Sequence, residues 1–120
     1  MKKELKGKED IRLLMTEFYA KATQDEVIRE KFDHIDMKEH IPKIVEFWSA
    51  VILYDGDYKG SPFDKHVPLK LEQKDFERWL QLFEETTFEL FEGENAKEIV
   101  KRAQSIGRIF QFKIESINLL

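Results

Sequence analysis

The chain contains no cysteine. That one absence excludes disulfide cross-links, thiolate nucleophiles and sulfur-ligated metals together, and it suits a reducing compartment. Glycine and proline are scarce, five and three in 120 residues. Turns are therefore few, and no Gly-rich phosphate loop is present. Sustained two-residue alternation is missing from every stretch long enough to build a sheet. No apolar run approaches the roughly 20 residues of a membrane span. The opening Met1-Lys2-Lys3-Glu4 leads into charges rather than a signal-peptide apolar region. Positive charge is in deficit, 20 Lys and Arg against 24 Asp and Glu, for a net charge of −4. A nucleic-acid partner requires a basic surface, so none is expected. These absences together predict a soluble, cytoplasmic protein without membrane insertion.

What is present is apolar and aromatic. Hydrophobic residues make up 42% and charged residues 37%, the balance of an ordinary globule. The length suits one domain over residues 1–120, with a core over about residues 10–115. Ten Phe, three Tyr and two Trp make 12% aromatic, rich for so short a chain. Apolar residues recur at helical spacing. Ile11, Leu14, Met15, Phe18 and Ala22 predict a helix over about 10–23, and Val27, Ile28 and Phe32 mark a short segment after Asp25. Asp36 is a candidate cap for a helix carrying Met37, Ile41, Ile44, Val45, Trp48, Val51 and Ile52. Pro42 is expected in that helix's first turn. Phe47 and Val51 widen its stripe, as for a helix held between two apolar bodies.

Beyond an Asp/Gly connection, Ser61-Pro62-Phe63-Asp64 reads as a compact helix start and Pro68 as its stop. A long helix is predicted over about 73–91, with Phe76, Trp79, Leu80, Phe83, Thr87, Leu90 and Phe91 inward. Gly93 punctuates, and Asn95 with Glu98 resembles a capping box. A last helix uses Ile99, Ala103, Ile106, Phe110 and Ile114, with Gly107 permitting a close neighbour.

Few chemistries remain. The histidines are His34, His40 and His66, without a HExxH pair or two histidines one turn apart, so zinc hydrolysis is weakly supported. The carboxylates read as solvated helix-face charges. His66, on a short helix braced by Pro62 and Pro68, is either an ordinary half-exposed residue or an imidazole on a stiff platform. His40 at a helix start has the bland reading of a satisfied terminal histidine. Tyr19 and Trp79 sit in or beside apolar stripes, where core packing is the default. Each nevertheless carries a polar hydrogen that needs a partner when buried.

The segments Phe18-Tyr19, Lys38-Glu39-His40, Phe47-Trp48, Tyr58-Lys59-Gly60, Lys65-His66 and Phe76-Glu77-Arg78-Trp79-Leu80 occur in the order and spacing of truncated haemoglobins. From about Ile11 to Phe112 the chain resembles the third, bacterial group of that family, which also lacks the Gly-Gly pairs of the other groups. The resemblance implies an all-α, globin-like two-over-two helical sandwich around haem b (iron protoporphyrin IX). It makes His66 the proximal iron ligand and puts Tyr19, His40 and Trp79 at distal polar positions. Phe32, Ile44, Phe47, Phe76 and Phe83 would contact the cofactor, and Lys65 would reach a propionate.

Distal donors of this kind stabilise O₂ and related diatomic ligands. They suggest nitric oxide dioxygenation to nitrate, which requires a separate reductase. Two other readings stay open: an O₂-, peroxide- or sulfide-binding or sensing haem protein without turnover, and a cofactor-free helical interaction module.

Overall fold

The computed structural model describes residues 2–33, 35–53 and 72–118, the side chains of 109–118 excepted, and four α-helices lie among these described residues. They are α1 (Lys8–Ala22), α2 (Met37–Ile52), α3 (Gln73–Leu90) and α4 (Glu94–Asn118). A one-turn 3₁₀ helix, Arg29–Phe32, lies between α1 and α2. The expected short helix around His66 lies outside the described residues.

Three of these helices start for a local reason. Asp36 caps α2 as expected, its carboxylate accepting from Lys38 N at 3.0 Å. Helix α1 begins at Lys8, two residues before the expected start, because Asp10 serves the first turn from inside it. Asp10 Oδ2 accepts from Lys6 N at 2.9 Å and Gly7 N at 3.1 Å. Asp75 does the same for α3, accepting from Glu72 N at 2.8 Å. The reading of every carboxylate as a solvated charge is therefore corrected: Asp10 and Asp75 are buried, at 6% and 1% exposure. Pro42 also departs from expectation, standing sixth in α2 rather than in its first turn. The helix forgoes the bond that residue 42 would give the Lys38 carbonyl, and Lys38 is exposed, so water can serve that oxygen.

The helices pack as two pairs, α1 with α2 and α3 with α4. Further contacts join α1 to α3 and α2 to α4. Between the pairs lies one apolar core, from Ile11, Leu14 and Phe18 of α1 to Val45 and Trp48 of α2, Phe83 of α3 and Ile99 of α4. Helix α2 meets both α1 and α4, as its wide stripe predicted. Gly107 lets α4 approach α3 closely: a Cβ there would stand 3.3 Å from Leu80 Cδ1.

Two two-residue strands, unforeseen from the sequence, close the N-terminal end. Lys3–Glu4 (β1) pairs in parallel with Phe91–Glu92 (β2), Lys3 opposite Phe91 and Glu4 opposite Glu92. Asn95 is not a helix cap. It lies inside α4, and its amide donates to the Leu5 carbonyl at 2.8 Å. Gly93 joins β2 to α4 at φ +99°, where an added Cβ would lie 3.3 Å from Glu4 Cγ. Gly93→Ala is expected to cost about 1–3 kcal/mol from that strained backbone and close contact. A thermal melt should show a drop of several degrees, and an unchanged midpoint would contradict the strain argument.

Candidate functional site

The tertiary packing brings Tyr19, His40 and Trp79 around one aromatic hub. Phe18, fully buried on α1, sits edge-on to Tyr19 at 4.9 Å, to Trp79 at 5.5 Å and to Phe83 at 5.4 Å between ring centroids. Trp79 stacks on Phe83 at 5.3 Å, one helical turn away, and Phe83 reaches Trp48 at 5.5 Å. Phe47 sits edge-on to Trp48 at 5.0 Å. On the other side, Tyr19 meets Phe32 at 5.9 Å and His40 at 4.9 Å. Such edge-to-face pairs stabilise beyond the area they bury, by about 0.5–1.5 kcal/mol each. Ile44 and Phe76 are buried in the same core, at 9% and 4% exposure. Lys65 and His66 lie outside the described residues.

The polar groups differ in how they are satisfied. His40 Nε2 and the Tyr19 hydroxyl are 2.9 Å apart. Each can act as donor or acceptor in this bond, and the histidine tautomer decides which. With the proton on Nε2, His40 donates and leaves the Tyr19 O–H free for a guest. With it on Nδ1, Tyr19 donates to His40 and the pair presents no free proton from the phenol. The expected trio is thus a coupled pair plus one independent donor. Burial pushes the Tyr19 phenol well above its ordinary pKa, so it stays protonated as a donor.

Trp79 is half-buried, but its Nε1 is fully enclosed and has no hydrogen-bond partner among the described residues. An apolar core rarely keeps an indole N–H enclosed without an acceptor. A polar guest beside the ring would supply one. That donor, with the Tyr19 hydroxyl across Phe18, is the chemistry expected opposite the iron of a haem. The residues present fit the cofactor.

A pair not anticipated from the sequence ties the site's elements together. Asp25 Oδ1, just beyond α1, accepts from Arg78 Nε at 2.8 Å and pairs with its second terminal nitrogen at 2.7 Å. The Asp25 carboxylate is only 9% exposed. Arg78 precedes Trp79, so the pair pins α3 to the segment leading to Phe32. The Arg78 guanidinium, helped by the Val27 and Ile28 backbone N–H groups, holds the Asp25 carboxyl below its usual range against the opposing effect of burial. A depressed folded value means that the stabilisation is complete above the unfolded carboxylate value, about pH 4. It is lost as pH falls through the folded value. Acid should therefore lower the melting temperature more steeply in wild type than in Asp25→Asn, and equal slopes would remove the pair from the stability balance.

Among the described residues, no group of three or more His, Cys, Asp or Glu side chains is arranged to hold a metal ion. No helix there is long and apolar enough to cross a membrane. A cavity of about 150 Å³ at the β1–β2 end is lined by Glu4, Leu5, Lys6, Glu92, Glu94 and Asn95, none of which belongs to the aromatic cluster.

Two helix pairs enclosing an aromatic cluster that carries polar donors are the arrangement expected of a globin. A family model for bacterial-like globins matches residues 3–111, and the chain belongs to that family. It is 38% identical over 118 residues to the group 3 truncated hemoglobin of Campylobacter jejuni, covering 92% of this chain and 93% of that one. The crystal structure of the group III truncated hemoglobin from Campylobacter jejuni matches with a TM-score of 0.85 at 38% identity, over 95% of both chains. The all-α globin fold and the group III resemblance expected from the sequence are thereby established. As a globin, the protein is a haem-containing, ligand-binding protein of a family that binds small diatomic ligands such as O₂. Its aromatics are thus not merely the core of a cofactor-free interaction module.

Proposed function

We propose that this chain binds O₂ and related diatomics at a haem b and uses the bound O₂ to oxidise nitric oxide to nitrate. The observation that carries the reading is the enclosed Trp79 N–H, unpartnered among the described residues, across Phe18 from the Tyr19–His40 pair. His66 would hold the iron, and Phe32, Ile44, Phe47, Phe76 and Phe83 would pack on the macrocycle, with Lys65 near a propionate. When bound, a haem would supply the ferrous iron at which a diatomic ligand is held and gains electron density.

The chain's own residues do the rest. Tyr19 and Trp79 donate hydrogen bonds to the ligand, which gains partial negative charge on binding. Bonds of this type contribute about 1.5–3 kcal/mol where charge is involved. His40 Nε2–H donates to the Tyr19 oxygen, fixes the phenol's direction and strengthens it as a donor. The buried rings keep bulk water from these bonds. Firm retention of O₂ suits a protein that consumes its ligand better than one that must release it. Each turnover needs one electron from outside the chain, so a separate reductase is part of the proposal.

Stopped-flow mixing of the oxygenated ferrous protein with nitric oxide is the test. Ferric protein and stoichiometric nitrate should form within the mixing experiment. Slow conversion without nitrate would sink the dioxygenase reading and leave a ligand-storing or sensing globin. The Tyr19–His40 bond gives that second reading some footing, because an Nδ1–H tautomer would withhold the phenol proton from any ligand.

A further inference from the structure

Helix α3 carries a second enclosed polar atom without a partner among the described residues, Asp75 Oδ1. Asp75 is 1% exposed, and an unsatisfied carboxylate oxygen at that depth is costly. Its other oxygen is engaged by Glu72 N at 2.8 Å and lies 3.8 Å from Lys31 Nζ. The side chain of Lys31 is 29% exposed, so the carboxylate reaches the surface through one residue.

The two unpartnered atoms are complementary, since Trp79 Nε1–H is a donor only and the carboxylate oxygen an acceptor. Residues 75 and 79 are four apart on one helix, so their Cβ atoms are about 5–6 Å apart on the same face. Helical side chains lean toward the N-terminus, so Trp79 leans toward the turn that carries Asp75. The ring itself stacks on Phe83 and meets the edge of Phe18. Donor and acceptor do not bond to one another directly. One small molecule that accepts a proton on one side and gives one on the other satisfies both. Water has that chemistry, and globular proteins hold about one buried water per 27 residues in such positions.

We propose that Asp75 and Trp79 together hold an internal water, and that this water competes with the diatomic ligand for the Trp79 N–H. The competition rests on the donor role given to Trp79 above. An incoming ligand must displace the water or lose this donor, so Asp75 slows ligand entry from a turn away. Asp75 is in this sense a positioning residue, acting through the water and not on the ligand.

Two measurements on the haem-loaded protein test this. A high-resolution crystal structure of the unliganded form should show a water within about 3.2 Å of both Asp75 Oδ1 and Trp79 Nε1. Clear density with no water there overturns the proposal. Carbon monoxide rebinding after flash photolysis should be about fivefold faster in Asp75→Leu than in wild type, the effect of removing one hydrogen bond to the water. Asp75→Asn keeps an oxygen for Glu72 N and a polar group for the water, so its rate should stay near wild type. Equal rates in Asp75→Leu and wild type overturn the competition. Should Asp75→Leu fail to fold, having lost the first-turn bond of α3, the crystallographic water still decides. The underlying reading fails separately: an O₂ dissociation rate unchanged in Trp79→Phe removes the donor role and the competition with it, whatever the density shows.

Discussion

Tyr19→Phe is expected to speed O₂ dissociation by about 10- to 100-fold, the loss of one charge-assisted hydrogen bond of roughly 1.5–3 kcal/mol. The substitution removes a single oxygen from a ring that is 2% exposed, and the edge contacts with Phe18 and Phe32 can persist. Stability should therefore change little, and the effect should fall on the ligand. The His40 imidazole loses its partner at 2.9 Å and is half-buried. Dissociation followed by replacement of O₂ with carbon monoxide reads the rate directly. An unchanged rate would mean that the phenol proton points to His40 in the liganded protein, the outcome of the Nδ1–H tautomer.

His66→Ala should have the larger effect, loss of stable haem capture. An imidazole holds iron through one nitrogen while its other N–H is held by an acceptor, and no other residue of this chain is assigned that bond. The variant is expected to shed haem on gel filtration, with the Soret band lost from the protein fraction. Added imidazole should restore much of it by supplying the missing ligand. Retention of haem with a wild-type ferrous spectrum would refute His66 as the axial residue and turn attention to His34 or His40.

The parts of this structure legible in the sequence are those governed by a short period. Helices α1, α2 and α3 show apolar residues at three-and-four spacing, and the buried set from Ile11 to Phe83 follows that spacing closely. The Asp36 cap was legible because its bond spans two residues. Asp10, Asp25 and Asp75 were misread for a common reason. A carboxylate on a polar face looks solvated in one dimension, yet the backbone N–H groups of a first turn, or an arginine 53 positions away, draw it inward. A spacing signal existed in Gly7-x-x-Asp10 and Glu72-x-x-Asp75, which mirror the capping box with Asp in the third position.

The β1–β2 pair was not legible, since two-residue strands have no period and their partners lie 88 positions apart. Asn95 belongs with it, because its amide serves a carbonyl 90 positions away. The candidate site divides in the same way. Tyr19 and Trp79 stood out as aromatics carrying polar hydrogens. Their meeting around Phe18, and the pairing of His40 with Tyr19, depend on tertiary packing that local pattern does not encode.

The aromatic cluster also makes the protein its own optical instrument. The chain has two tryptophans, and both Trp48 and Trp79 stand against Phe83. No third indole on the surface dilutes their emission. A haem seated against this cluster would take up the excitation of both, so fluorescence should fall toward darkness as the cofactor enters. The two indoles also sit differently, Trp48 at 2% exposure and Trp79 only half-covered. The residual glow of Trp48→Phe and of Trp79→Phe would then report the filling of the pocket from two sides, without any reading of the haem itself.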